Sequence, residues 1–281
     1  MSADRKTRTE RRREQRRQRR APPKSSVWRG PLPIIGTIVL VVAVIGGFVL
    51  LQRGQAPSGD GDAAAVAAAV TSVPMSTTDA VGAGTITNPL KVAGSTVLKG
   101  PSGKPVVIYV GAEYCPFCAS ERWSLAVALS RFGTFKGLQL TRSSSSDVYP
   151  NTATFSFRGS TYTSDTIEFS FVETADRDRN PLDTPNTLQQ TSFTAYDTEG
   201  SIPYVSIADR YVGIGSGYPP DVLAGKTWTQ IADALRDSST SIARGILANA
   251  NYLTAAICDV TNQSPSAACD SAVIRALAKP K

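Results

Sequence analysis

The 281-residue chain contains no histidine. That excludes every mechanism needing an imidazole base and denies zinc, copper and haem sites their commonest nitrogen ligand. Methionine is nearly absent too, at Met1 and Met75, so no cluster of soft thioethers is available to copper(I). With 22 Gly and 18 Pro the chain falls far short of a collagen-like repeat. A mean hydropathy of −0.11 rules out a polytopic membrane protein. Positive charge is also missing from most of the chain. Residues 1–29 hold 12 Lys/Arg against 3 Asp/Glu, and the rest hold 18 against 20, so the net +7 belongs to a tail.

The sequence has one long apolar run, Leu32–Leu51, of 20 residues without a charge. At 1.5 Å per residue it reaches ~30 Å, the thickness of a bilayer core. Trp28, Arg29 and Arg53 flank it. The basic excess before it sets the N-terminus in the cytoplasm and the remainder outside. A cleaved signal peptide competes, with Ala63–Val70 as a small-residue region, but its apolar core normally runs only about 7–15 residues. The expected organisation is a basic cytoplasmic tail (1–31), a transmembrane helix (32–52), a flexible Ala/Gly/Ser/Pro-rich linker (53–85) and an extracytoplasmic domain (86–281). The run Arg11–Arg20 lies where anionic lipid would attract it. No stacking aromatics accompany it, so no nucleic-acid partner is expected.

All four cysteines lie beyond the span, where disulfides persist: Cys115, Cys118, Cys258 and Cys269. The close pair stands in KPVVIYVGAEYCPFCASERWSLAVALSRFG. Val106–Val110 is β-branched and apolar and reads as a buried strand, and Gly111–Tyr114 makes a turn. A helical pattern runs from Pro116 to Gly133. Cys115 therefore falls at a helix N-terminus, where free N–H groups favour a thiolate, and Cys118 lies one turn on. An attacking and a resolving thiol need that spacing.

The string AEYCPFC resembles the active-site loop of thioredoxin-like oxidoreductases, and its Pro-aromatic centre is similar to that of glutaredoxins. Ser201–Ile207, SIPYVSI, is similar to the strand that in those folds starts after a cis-proline facing the cysteines. The resemblance implies that Ile202 and Pro203 help bind substrate backbone, with Arg210–Gly213 as the next strand. Residues 94–279, with RWSLAVALSRFGTF, DVYPNT and SIPY, also resemble a bacterial membrane-anchored family, domain of unknown function 929. The implied fold is α/β, a thioredoxin-like central sheet with flanking helices. Between Cys115 and Pro203, where relatives often insert helices, the residues themselves read as a β-rich insertion: a hairpin of Ala153–Phe157 with Ser160–Thr163 and a strand at Ile167–Val172, followed by a helix at Leu188–Tyr196. The implied activity is exchange of disulfides with protein thiols outside the membrane, with no cofactor and with a membrane-embedded electron donor or acceptor as a further partner.

Two departures bear on the chemistry. The buried carboxylate of thioredoxins would fall on Tyr109, and Glu113 reads as a solvated charge. Arg122, about two turns into the helix, reads as too far to act on Cys115. With only a helix terminus assisting, the expected potential is intermediate, on the order of −230 to −150 mV. Cys258 and Cys269 flank a polar loop with Pro265 between helices Ile242–Ile257 and Ser271–Ala278, and read as a structural disulfide contributing ~3 kcal/mol. Competing readings of the CxxC pair are a redox-inactive binding module and copper(I) handling. Structural zinc would need two more ligands, and no second CxxC exists. The topology has a direct test: protease added to spheroplasts should remove the C-terminal domain, whereas its survival until lysis would reverse the assignment.

Overall fold

The computed structural model describes residues 62–277. The tail (1–31) and the apolar run (32–52) lie outside the described residues, and among those described no helix is long and apolar enough to cross a membrane. In chain order, helices α1 (Ala63–Thr71) and α2 (Met75–Val81) precede strands β1 (Lys91–Val92) and β2 (Val106–Gly111). Helix α3 (Pro116–Leu129) follows, then β3 (Gly133–Lys136), β4 (Gln139–Arg142), β5 (Ala153–Ser156), β6 (Thr161–Ser164) and β7 (Glu168–Glu173). Helix α4 (Thr187–Tyr196), β8 (Tyr204–Ile207) and β9 (Tyr211–Ile214) come next. A 3-10 turn (Pro220–Leu223) leads to α5 (Trp228–Ala234), α6 (Ser241–Val260), α7 (Ser266–Cys269) and α8 (Ala272–Leu277).

The central sheet is mixed and five-stranded, in the order β1-β9-β8-β2-β7. β2 runs parallel to β7 and antiparallel to β8. A parallel pair needs a long crossover, and here it passes through α3 and the strands after it. Because side chains alternate across a strand, β2 feeds two cores. Val107 and Tyr109 join Trp123, Leu125 and Leu129 of α3 and Ile246 and Leu253 of α6. Val106, Ile108 and Val110 join Val172, Tyr204 and the α4 residues Leu188 and Phe193 on the other face. That double burial explains why β2 reads as a continuous apolar run rather than an alternating one.

Two expectations need correction. The segment 53–85, read as a flexible linker, is described from residue 62 onward and carries α1 and α2. Alanine is the best helix former, and Val66 and Val70, spaced one turn apart, are both buried. Asn251 of α6 donates to the carbonyls of Thr78 (2.8 Å) and Gly82 (2.9 Å), which ties α2 down. The folded part thus begins well before residue 86. Second, Ala153–Phe157 and Ser160–Thr163 do not pair with each other as a hairpin: β5 pairs with β4, and β6 with β3. The four strands make two consecutive antiparallel pairs, β3 with β6 and β4 with β5, separated where Gly137 and Gly159, both at φ +76°, let the two segments bend; together they are called the ribbon. Strands are therefore present where expected at 153–172, with different pairing.

Glu121 of α3 is buried, and one carboxylate oxygen accepts from the Gly217 N–H (3.0 Å) and from Asn249 (2.8 Å). Burial pushes its pKa up to about 7. The folded state thus holds a proton that the unfolded state gives up near pH 4.5, so stability falls as pH rises from there to about 7. Glu121→Gln should flatten that slope and raise stability above neutrality by up to about 3 kcal/mol. Urea denaturation followed by circular dichroism across pH reads it.

Candidate functional site

Pro105 directly precedes β2, the strand ends at Gly111, and the chain turns so that Cys115 caps α3. The Cys115 sulfur accepts the Cys118 N–H at 3.3 Å, filling one of the orphan donors of the first helical turn. Both cysteines are free thiols. Cys115 is 6% exposed and Cys118 not at all, so only the first can meet a large partner. The Cys115 sulfhydryl also faces the Ile202 carbonyl at 3.8 Å, and the following Ile202–Pro203 peptide is cis. The structure thus brings Cys115, Cys118, Ile202 and Pro203 together.

Cys258 and Cys269 bond to each other between the last turn of α6 and α7. Their neighbour Asp259 holds Arg210 (2.8 Å) and Tyr211 (2.9 Å), at the far end of the β8–β9 pair from Tyr204. This disulfide joins the C-terminal end of α6 to α7.

The two thiols are electrically unequal. Cys115 is pulled down to about 7, chiefly by its hydrogen bond with Cys118, and further by the Cys118 N–H and the charge of Arg122 against the opposing effect of burial. Cys118 is pushed well above the ordinary thiol range by burial. The field of Arg122 corrects the sequence expectation. Side chains on a helix lean back toward its N-terminus, so a residue four positions after Cys118 lies beneath it rather than beyond it. Arg122 donates through Nε and Nη2 to the two oxygens of Glu173, each at 2.7 Å, with both side chains fully buried. Nη2 also donates to the Ala112 carbonyl at 2.7 Å.

Glu113 departs from expectation as well. It is half-buried, accepting from Ser156 at 2.5 Å and Thr141 at 3.5 Å, and so fastens the turn to the inserted ribbon. Tyr109 does occupy the position under the pair, buried against Phe157, with no partner for its hydroxyl. Sequence reading passed over Glu173, although a carboxylate ending the apolar strand IEFSFVE was a signal that something buried must answer it.

The insertion forms the rim. Ser144 N–H donates to the Tyr114 carbonyl (2.9 Å), Phe117 packs edge-on to Tyr149, and Arg179 lies 4.0 Å over the Tyr114 ring while paired with Asp147. Phe117 and Val148 remain 39% and 65% exposed, giving the rim an apolar contact surface. Among the described residues, no group of three or more Cys, Asp or Glu is placed to hold a metal ion.

Residues 94–186, about a third of the chain, match the family described as Domain of unknown function (DUF929). The resemblance to that family therefore holds over the stretch from just after β1 to the residue before α4, which contains the CxxC and strands β2 to β7. No curated protein and no solved structure matches the chain.

The unequal pair predicts a titration. In the reduced protein one thiolate should appear with a midpoint near pH 7, seen as ultraviolet thiolate absorbance. Alkylation at neutral pH should label Cys115 and leave Cys118 intact. Equal labelling would contradict the geometry.

Proposed function

We propose that the chain is a membrane-anchored extracytoplasmic thiol–disulfide oxidoreductase with a thioredoxin-like fold, working through Cys115 and Cys118. The single observation carrying this reading is the asymmetry of the pair: one thiol at a helix N-cap with a midpoint near 7, the other enclosed one turn later and held protonated. Topology supports the fold assignment. The order β9-β8-β2-β7, with β2 and β7 parallel and β8 and β9 antiparallel, places the CxxC after the first strand of this set. Ile202–Pro203 then directly precedes β8.

In the reducing direction the Cys115 thiolate attacks one sulfur of a substrate disulfide. A Cys115–substrate disulfide forms, the substrate bond breaks, and the leaving thiolate takes a proton from solvent. Cys118 then loses its proton and attacks the Cys115 sulfur. The Cys115–Cys118 disulfide forms and the second substrate thiolate leaves and takes up the proton that Cys118 released, so two electrons have passed to the substrate, with one proton from Cys118 and one from solvent. An external dithiol must return them, and a membrane-embedded dithiol/disulfide partner suits a domain tethered by the 32–52 span. Oxidation of substrates is the same sequence reversed. Backbone at Ile202–Pro203 would line the attacking sulfur, and the Phe117–Val148 rim would take the apolar flank of the substrate chain.

Cys118→Ala should accumulate mixed disulfides on Cys115 that dithiothreitol releases, and Cys115→Ala should accumulate none. A Cys118→Ala protein that captures nothing, with wild-type protein inert toward disulfide substrates, would leave a binding module.

A further inference from the structure

The buried Arg122–Glu173 pair has no obvious reason to exist for stability alone, because removing two charges from water costs about what their attraction returns. Its location supplies one. Arg122 and Cys118 are one turn apart on the same face of α3, and Cys115 is one further turn back. The Ala112 carbonyl accepts both from Arg122 (2.7 Å) and from the Cys115 N–H (3.3 Å), so the guanidinium is braced against the turn that carries the attacking sulfur. Glu173 fixes it from the β7 side, and Nη1 has no hydrogen-bond partner among the described residues.

We propose that, given the exchange chemistry above on which this inference rests, Arg122 is a positioning residue that sets the redox poise of the Cys115–Cys118 pair, with Glu173 holding it in place and limiting its field. The reduced pair carries a thiolate. Closing the disulfide releases two electrons and one proton and removes that negative charge. A fixed buried cation therefore favours the reduced form and makes the disulfide the stronger oxidant. The electrostatics agree: the Arg122 charge lowers both thiols. The other groups facing the pair are Tyr109 from β2, Tyr114 with Arg179 and Asp147 at the turn, and Glu173 from β7 with Glu113 behind it. Arg122 is the cation among them that is buried with the sulfurs rather than at the rim.

Three full-length variants test this, each checked for folding by circular dichroism: Arg122→Met with Glu173→Leu, which removes both charges; Glu173→Gln, which leaves the cation unopposed; and Arg122→Lys, which keeps the charge. The readouts are iodoacetamide alkylation of Cys115 against pH and the thiol–disulfide equilibrium in glutathione buffers. In the neutral double variant the alkylation midpoint should rise, with the rate at about pH 6 falling about three- to tenfold, and the disulfide should be favoured about tenfold more. Glu173→Gln should shift both readouts the opposite way, and Arg122→Lys should stay near wild type. Shifts of the same sign in the double variant and Glu173→Gln, or no shift in the double variant, would overturn the proposal. These titrations use only the pair itself, so they succeed or fail independently of substrate capture by Cys118→Ala.

Discussion

The arrangement depends on how α3 is held against the sheet. A guanidinium from the helix and a carboxylate from the end of β7 meet out of water in a two-pronged hydrogen bond, and the same guanidinium reaches the carbonyl of Ala112 just after β2. Three elements are thereby fixed at one point: the strand that delivers the CxxC turn, the helix that begins with it, and the parallel neighbour of that strand. Breaking either side alone would strand a buried charge, which costs several kcal/mol, so the geometry tolerates loss of both partners better than loss of one. A less directional contact would leave the first turn of α3 free to rock, and the Cys115 cap bond depends on that turn.

The inserted ribbon then serves α3 from its other side. Two tryptophans, Trp123 of α3 and Trp228 of α5, donate to consecutive carbonyls of β5, Ala153 (2.9 Å) and Thr154 (2.8 Å). Thr154 returns a hydrogen bond to the Ala119 carbonyl at 2.7 Å. With Glu113 and Tyr114 also tied to the ribbon and its following loop, the insertion acts as a buttress that sets the wall beside the thiols. Phe135 stacks on Phe157, which meets Phe169 of β7 and Tyr109 of β2 edge-on, so the ribbon packs into the same core as β2 and α3.

What could be read from the sequence follows from range. The strand Val106–Gly111, the helix starting at Pro116 and the Ile202–Pro203 approach to β8 are signalled by local patterns: β-branched runs, a proline at a first turn, glycine stops. The pairing of β5 with β4 instead of β6 was hidden because β3 and β4 are four residues each, with no alternation strong enough to declare them. Alanine-rich 62–71 reads equally as linker or helix, and only burial of Val66 and Val70 against α3 and α5 decides for helix. At the site, the cysteines were legible and their electrostatic partners were not. Arg122 was judged by its distance along the chain, whereas a helical side chain points backward, and Glu173 is contributed from 51 residues away.

The missing histidines acquire a structural meaning here. A thiol brought to about 7 elsewhere by an imidazolium loses that help as the imidazole titrates. In this chain the lowering comes from the Cys118 hydrogen bond, from backbone N–H groups at the helix start and from a guanidinium, and neither of the last two changes protonation between acid and mild alkali. Near neutrality the reactive sulfur therefore loses its own proton without the help of a neighbouring imidazolium. For a domain proposed to work outside a membrane, where pH is less closely held than in a cytoplasm, the backbone N–H groups and the guanidinium would go on stabilising the thiolate across that range.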